Sequence, residues 1–261
     1  MTTTPAVRVS LEAARLTAGY GARTVIHDIT LRVAAGEIVS VVGPNGAGKS
    51  TLIRALTGII APSSGDVHVN GRAIAKLSRA EIAQQIAVVP QGLETLFPFS
   101  VREIVALGRT ARLDALGRGR SDDAAAVARA LALLDLEKLG DRRIDLISGG
   151  ERQRVVLAMA IAQETPVLLL DEPTVHLDPA HQLATIALVR RLACERDLAV
   201  LAVVHDLSLA ALADRVVVLA QGRIVRSGRP DEVIDDALVE EVFGAGWRVG
   251  RDGDRTYVRP A

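Results

Sequence analysis

Eight consecutive residues, Gly43-Pro44-Asn45-Gly46-Ala47-Gly48-Lys49-Ser50, carry the spacing G-x-x-x-x-G-K-[ST], which is the chemistry of a phosphate cradle. Glycine lets a backbone wrap a phosphate chain without Cβ clashes. The amide hydrogens that converge in such a turn meet the positive end of the helix behind it. Lys49 is then expected at the β- and γ-phosphates, and the Ser50 hydroxyl on Mg²⁺. The flanks suit the motif: apolar Ile38-Val39-Ser40-Val41-Val42 reads as a strand, and Thr51-Leu52-Ile53-Arg54-Ala55-Leu56 as a helix. The run implies a protein that binds a nucleoside triphosphate.

A phosphate loop of this kind needs a second Mg²⁺ ligand from the end of another buried strand. Val167-Leu168-Leu169-Leu170-Asp171-Glu172 supplies one, because a short, wholly apolar run reads as a strand covered on both faces. Asp171 at its carboxyl end is placed to hold Mg²⁺. Glu172 is placed to orient or deprotonate an attacking water. Between the two motifs stands Ile147-Ser148-Gly149-Gly150-Glu151-Arg152-Gln153-Arg154, leading into apolar Val155-Val156-Leu157-Ala158-Met159-Ala160. Ser148 is an N-cap and Glu151 sits at the capping-box position, so two glycines stand beside a helix N-terminus. That is a second anion-binding turn in one chain. One nucleotide does not need two distant cradles from one subunit, whereas two copies arranged head to tail would use both.

Ser148-Gly149-Gly150-Glu151-Arg152-Gln153 resembles the signature of ATP-binding cassette (ABC) ATPases, and its place between the phosphate loop and the Asp171-Glu172 strand is the order of that family. The resemblance implies ATP and Mg²⁺ as ligands and assigns further positions. Tyr20 resembles the aromatic that stacks on adenine. Gln91, in Val88-Val89-Pro90-Gln91, resembles the glutamine that senses Mg²⁺ and water and links the core to a helical subdomain. Asp178, in Leu177-Asp178-Pro179, lies in the loop that communicates across the dimer, and His205 resembles the switch histidine at the γ-phosphate. The cradle residues Gly43 to Ser50 with Thr51, and the signature residues Ser148, Gly149, Gly150 and Glu151, are then the ATP contacts. Ser50, Gln91 and Asp171 are the metal contacts, and Glu172, His205 and Gln91 the catalytic ones. Two residues depart from the family pattern: Ile147 replaces the usual leucine, and Val175 stands where serine or asparagine is commoner.

Over 11–249 the wording is similar to ATPases of importers for ferric siderophores, haem and cobalamin: Phe97-Pro98-Phe99-Ser100-Val101-Arg102-Glu103, Ala106-Leu107-Gly108-Arg109, and His176-Leu177-Asp178 with His181-Gln182. The resemblance implies a head-to-tail homodimer, integral membrane permease subunits, an indirect link to a substrate-binding protein, and a peripheral location on the cytoplasmic face of the inner membrane. Segment 93–101 corresponds to the groove that receives a coupling helix, with Phe97 and Phe99 as either anchors or core. A soluble ABC ATPase acting on DNA or ribosomes would call for a long coiled-coil insertion or a second cassette. A regulatory module without turnover would have no use for Glu172 and His205.

Composition agrees with a protein that builds one large core: 261 residues, 49% hydrophobic and 24% charged. Lys+Arg and Asp+Glu number 31 each, so no chain-wide field favours nucleic acid or an anionic surface. The single Cys194 excludes an internal disulfide and fits a reducing compartment. Met1-Thr2-Thr3-Thr4-Pro5 lacks the layout of a signal peptide. No apolar stretch approaches the ~20 residues of a membrane span. His27, His68, His176 and His181 lack metal-ligand spacing and are expected to cap turns or face solvent.

The elements that must position these residues can be read along the chain. Strands with a turn at Ala35-Gly36 surround the phosphate loop over 7–69, and are expected to be short. Helices are expected at 101–108 and 121–134, the latter capped by Ser121, with a surface connection at 109–120. Strand and helix alternate again from Pro166, with a helical run at 186–196, a strand ending at His205, and a turn at Gln221-Gly222. A hairpin is expected over 247–258 around Asp252-Gly253. The fold class expected is α/β: a P-loop NTPase (RecA-like) core with a mixed sheet, an inserted α-helical subdomain and a small antiparallel β element. The ABC domain is expected over 7–245, with a core of 7–91 and 166–228, a helical subdomain of 92–165, and a C-terminal helix and hairpin at 229–261.

Overall fold

The computed structural model describes residues 8–91, 98–113, 117, 119, 121–174, 177–253 and 255–261. Phe97, Val175 and His176, and the first five residues, lie outside the described residues. The chain divides into two units, one of residues 1–76 with 189–261 and one of 77–188. The boundaries expected at 91/92 and 165/166 both fall inside the second unit.

The first unit begins with β1 (Val9–Tyr20) and β2 (Arg23–Ala34), an antiparallel pair. The strands expected to be short are 12 residues each. Register shifts between Ala13 and Leu16 and between Leu16 and Ala18 interrupt the alternation of apolar side chains, and Arg15 there has φ 49°. A reading by period two therefore breaks a bulged strand into pieces. Next come β3 (Ile38–Val42), α1 (Lys49–Leu56), β4 (Ser64–Val69) and β5 (Arg72–Ala73). The first sheet has the order β2-β1-β4-β5 and is antiparallel throughout.

The second unit contributes α2 (Arg79–Ala83), β6 (Ile86–Val89), α3 (Val101–Leu107), α4 (Asp123–Leu133), α5 (Gly149–Ala162) and β7 (Val167–Asp171), and α6 (Pro179–Arg196) carries the chain back. The first unit then closes with β8 (Ala199–Val203), α7 (Leu207–Ala210), β9 (Arg215–Ala220), β10 (Arg223–Gly228), α8 (Pro230–Val233), α9 (Asp236–Phe243) and the hairpin β11 (Trp247–Asp252) and β12 (Arg255–Pro260). Asp252 pairs with Arg255 inside this hairpin, so the turn starts at Gly253 (φ 58°) rather than at Asp252. The expected C-terminal extension of one helix and a hairpin holds two helices, α8 being a single turn.

In the first unit β3 lies between β8 and β9, parallel to both, and β10 returns antiparallel to β9. All five residues of β3 and all five of β8 are buried, which is why their sequences are continuous apolar runs. In the second unit β6 and β7 are a parallel pair, with Val89 opposite Leu170. Helices α2, α3 and α5 each start with a capping box, Ser78/Glu81, Ser100/Glu103 and Ser148/Glu151. In each box the serine accepts the glutamate N–H and the glutamate accepts the serine N–H. Among the described residues, no helix is long and apolar enough to cross a membrane.

Two expectations fail in the helical unit. The residue that caps α4 is Asp122, not Ser121, and its side chain makes no cap bond. The stretch from Arg109 does not begin as a surface connection: the Arg109 side chain is 4% exposed and pairs with Asp123 at 2.7 Å and Glu164 at 2.8 Å. Arg109 also donates to the Ala162 carbonyl at the end of α5. Burial alone would raise the Glu164 carboxyl, but hydrogen bonds from Arg129 and Arg109 outweigh it and hold the group below the usual carboxylate range. Arg109 thus ties α3, α4 and the end of α5 through a planar cation whose donors point in fixed directions.

Removing one partner of a buried ion pair leaves charge uncompensated, so Arg109→Ala is expected to cost about 3 kcal/mol, measured by urea denaturation. The stability held at Glu164 is present above the ordinary glutamate pKa of about 4.3 and is lost as pH falls through the lower folded value. Acid should therefore destabilise the wild type more steeply than Glu164→Gln in the same melts.

Candidate nucleotide-binding and catalytic site

In the first unit β3 and β8 run parallel with Val41 opposite Val203, and the Val204 N–H donates to the Val41 carbonyl at 3.1 Å. Their carboxyl ends therefore lie side by side. One leads into Gly43 and the phosphate loop, the other into His205, which is exposed just beyond the strand. The loop crowds its surroundings: a Cβ at Gly43 would stand 2.0 Å from the Leu219 carbonyl oxygen. At Gly48, φ 104° and a Cβ position 2.7 Å from Ile26 Cγ2 exclude any larger residue. The Gly222 N–H donates to the Ala47 carbonyl, so the β9–β10 turn braces the loop from behind.

Lys49 is 6% exposed, and its ammonium donates to the Gly43 carbonyl at 2.8 Å and the Pro44 carbonyl at 3.0 Å. A buried ammonium held on the loop's own carbonyls is poised for an anionic group. Thr51 is buried behind it, whereas Asn45, Gly46 and Ser50 are exposed. Tyr20 at the end of β1 is 46% exposed; Arg54 donates to its hydroxyl at 2.9 Å and lies 6.0 Å from its ring centroid. That contact orients the ring.

The second unit repeats the arrangement. Because β6 and β7 are parallel, Gln91 and the Asp171-Glu172 pair emerge at one end, and Gln91 Nε2 donates to Glu172 Oε2 at 2.8 Å. Glu172 has φ 54°, a left-handed conformation that costs a non-glycine residue roughly 1–3 kcal/mol and recurs where function demands it. Ser148 caps α5, its hydroxyl donating to Glu151 Oε2 at 2.8 Å. The Ser148 N–H first, and its hydroxyl second, hold the Glu151 carboxyl below the usual range. A Cβ at Gly150 would meet Leu177 and His181 at 3.7 Å, so the Gly149-Gly150 turn lies beside the Leu177–Asp178 loop. Asp178 accepts from the His181 N–H at 3.0 Å and contacts His181 Nδ1 at 2.6 Å; these bonds keep its carboxyl low. His181 is exposed and closes the turn at the start of α6 against Asp178, in line with the expectation that it caps a turn or faces solvent.

Among the described residues no cluster of three His, Cys, Asp or Glu side chains could hold a metal by itself. Ser50 in the first unit and Gln91 in the second are exposed, and Asp171 is half-buried; a hydroxyl, an amide oxygen and a carboxylate are all hard oxygens of the type Mg²⁺ takes. Phe99 is 39% exposed, on the loop leading to α3, rather than packed in the core.

A phosphate loop on a strand–turn–helix, with polar and acidic side chains just past the carboxyl ends of parallel strands, is the arrangement of a phosphate-loop nucleoside triphosphatase. A model of the ABC transporter family matches residues 26–175, more than half of the chain, and the chain belongs to that family. It is 42% identical over 245 residues to the cobalamin import ATP-binding protein BtuD of Halobacterium salinarum, covering 94% of this chain and 61% of the relative. It is 41% identical to the probable siderophore transport system ATP-binding protein YusV of Bacillus subtilis (91% and 86% covered) and 44% identical to the hemin import ATP-binding protein HmuV of Thermobifida fusca (90% and 82% covered). The chain thus spans under two thirds of the Halobacterium relative's length. Among solved structures, a metal-chelate type ABC transporter in an inward-facing conformation superposes with a TM-score of 0.84 at 27% identity, over 97% of this chain and 98% of that one. A dimeric post-hydrolysis ATP-binding cassette bound to ADP and Pi superposes with a TM-score of 0.74 at 25% identity, over 84% and 98%.

If the buried Lys49 ammonium serves a phosphate, Lys49→Ala loses charge-assisted bonds of about 1.5–3 kcal/mol. The dissociation constant for ATP, measured by fluorescence titration, should rise roughly ten- to a hundredfold. An unchanged constant would remove the loop from nucleotide binding.

Proposed function

We propose that this chain hydrolyses ATP as the energising subunit of an importer for an iron-siderophore, haem or cobalamin-type substrate. The observation that carries the catalytic part is the Gln91–Glu172 hydrogen bond at 2.8 Å. It fixes the carboxylate that is to take a proton from water as the water oxygen attacks the γ-phosphorus. The bond from that phosphorus to the β–γ bridging oxygen breaks, and ADP leaves with the electron pair. With its nitrogen donated to Glu172, Gln91 has its amide oxygen left for a metal. Ser50, Asp171 and Gln91 would hold Mg²⁺, which when bound neutralises charge on the β- and γ-oxygens. Tyr20 stacks on adenine, Gly43 to Thr51 wrap the phosphates, and His205 meets the γ-phosphate.

The signature turn at Ser148, Gly149, Gly150 and Glu151 serves the nucleotide of a second copy, with Asp178 in the loop beside it. Two chains head to tail then complete two sites. Exposed Phe99 supports a docking role for the loop before α3 against permease subunits, and the names of the relatives support the substrate class. A substrate-binding protein acts through those permeases, with this chain peripheral on the cytoplasmic face of the inner membrane. Isolation of the chain from solubilised membranes with an integral membrane protein attached is the expected outcome. Recovery with ribosomes or DNA instead would contradict the transport reading.

Head-to-tail pairing makes a complementation prediction. Ser148→Arg and Lys49→Ala chains each form dimers without an intact site, so each alone should be nearly inactive. A mixed dimer joins one intact phosphate loop to one intact signature, so mixing should restore part of the ATPase rate. Wild-type turnover from either mutant alone, or a mixture no faster than its parts, would contradict the arrangement.

A further inference from the structure

The segment that carries His205 is held from outside by the far end of the chain. Helix α7 directly after it has four residues, too few to persist by its own hydrogen bonds. Asp206 caps it, accepting the N–H groups of Ser208 at 2.6 Å and Leu209 at 3.2 Å. The Ser208 hydroxyl turns the other way and reaches residue 258 in β12. It accepts the Val258 N–H at 3.1 Å and donates to the Val258 carbonyl at 3.4 Å. Val258 stands opposite Val249 in the hairpin, and the Val249 N–H is itself taken by Asp236 at the start of α9, at 2.8 Å. Both outer edges of one cross-strand pair are therefore pinned by side chains, one to α9 and one to α7. A two-stranded hairpin is marginal alone, so these bonds fix its place. Asp235 then anchors α9, accepting Arg226 of β10 at 2.7 Å.

We infer that the β11–β12 hairpin is a strap that sets the position of the His205 segment, with Ser208 as the positioning residue that transmits it. This rests on the reading of His205 as the γ-phosphate switch. The bonds that pin the strap go to Asp236 and Ser208 and not to the phosphate loop, so the strap governs the rate of the chemical step and not the hold on nucleotide.

The test uses the full chain with steady-state ATPase and ATP titration. Ser208→Ala should lower kcat roughly three- to thirtyfold, as residues coupled through one network do, with KM and ATP affinity unchanged. Ser208→Thr, which keeps the hydroxyl, should restore kcat. Val258→Pro removes the N–H that Ser208 accepts, on the outer edge of β12 where proline is tolerated, and should reproduce the Ser208→Ala loss in a chain whose melting shows it folded. Wild-type kcat in Ser208→Ala and Val258→Pro would overturn the strap, as would a rise in KM with kcat unchanged. His205→Ala separates the two readings. If it leaves kcat at the wild-type level, the switch assignment fails; if it abolishes turnover while Ser208→Ala and Val258→Pro do not lower it, the strap alone fails.

Discussion

The functional architecture depends on one constraint: parallel strands deliver their carboxyl ends to the same edge. In the first unit this sets the loop after β3 beside the segment after β8, and in the second it sets Gln91 beside Asp171 and Glu172. Burial of β3 and β8 on all five residues leaves no polar side chain inside the strands to do chemistry except Ser40. The chemistry is therefore pushed into the loops, where ligands bind in open α/β sheets. Loss of register in either pair would move a strand-end side chain of the proposed site by a strand repeat, about 3.3 Å per residue, more than a hydrogen bond can follow.

The sequence revealed most where the proposed site is built from consecutive residues. The phosphate loop, the Ser148-Gly149-Gly150-Glu151 turn and the Asp171-Glu172 strand end are contiguous, and each carries its own structural signal in a cap, a glycine or an apolar run. The structure places these local signals where they were expected. Gln91, 81 positions from Glu172, drew its role only from family resemblance, and its hydrogen bond to Glu172 has no sign in the sequence.

What stayed hidden depends on distance along the chain. Arg109 reads as the start of a polar stretch, and only folding brings Asp123 and Glu164 to it, 14 and 55 positions away. Ser208 and Val258, 50 positions apart, give no sign of each other in sequence. The long strands β1 and β2 were cut short in the reading because bulges break the period-two pattern that identifies a strand. The capping boxes at Ser78/Glu81 and Ser100/Glu103 were legible as S-x-x-E and would have announced α2 and sharpened the start of α3.

The central claim is that a complete catalytic site needs two copies of this chain, each lending its signature to the other's phosphate loop. The most direct measurement is the mass in solution of Glu172→Gln, with and without Mg²⁺-ATP, by size exclusion with light scattering. In the proposed roles Glu172→Gln removes the water-activating carboxylate and keeps the groups that bind nucleotide, so the account predicts a dimer in ATP that returns to monomer when nucleotide is removed. A variant that binds ATP fully and remains a monomer at every protein concentration would contradict it.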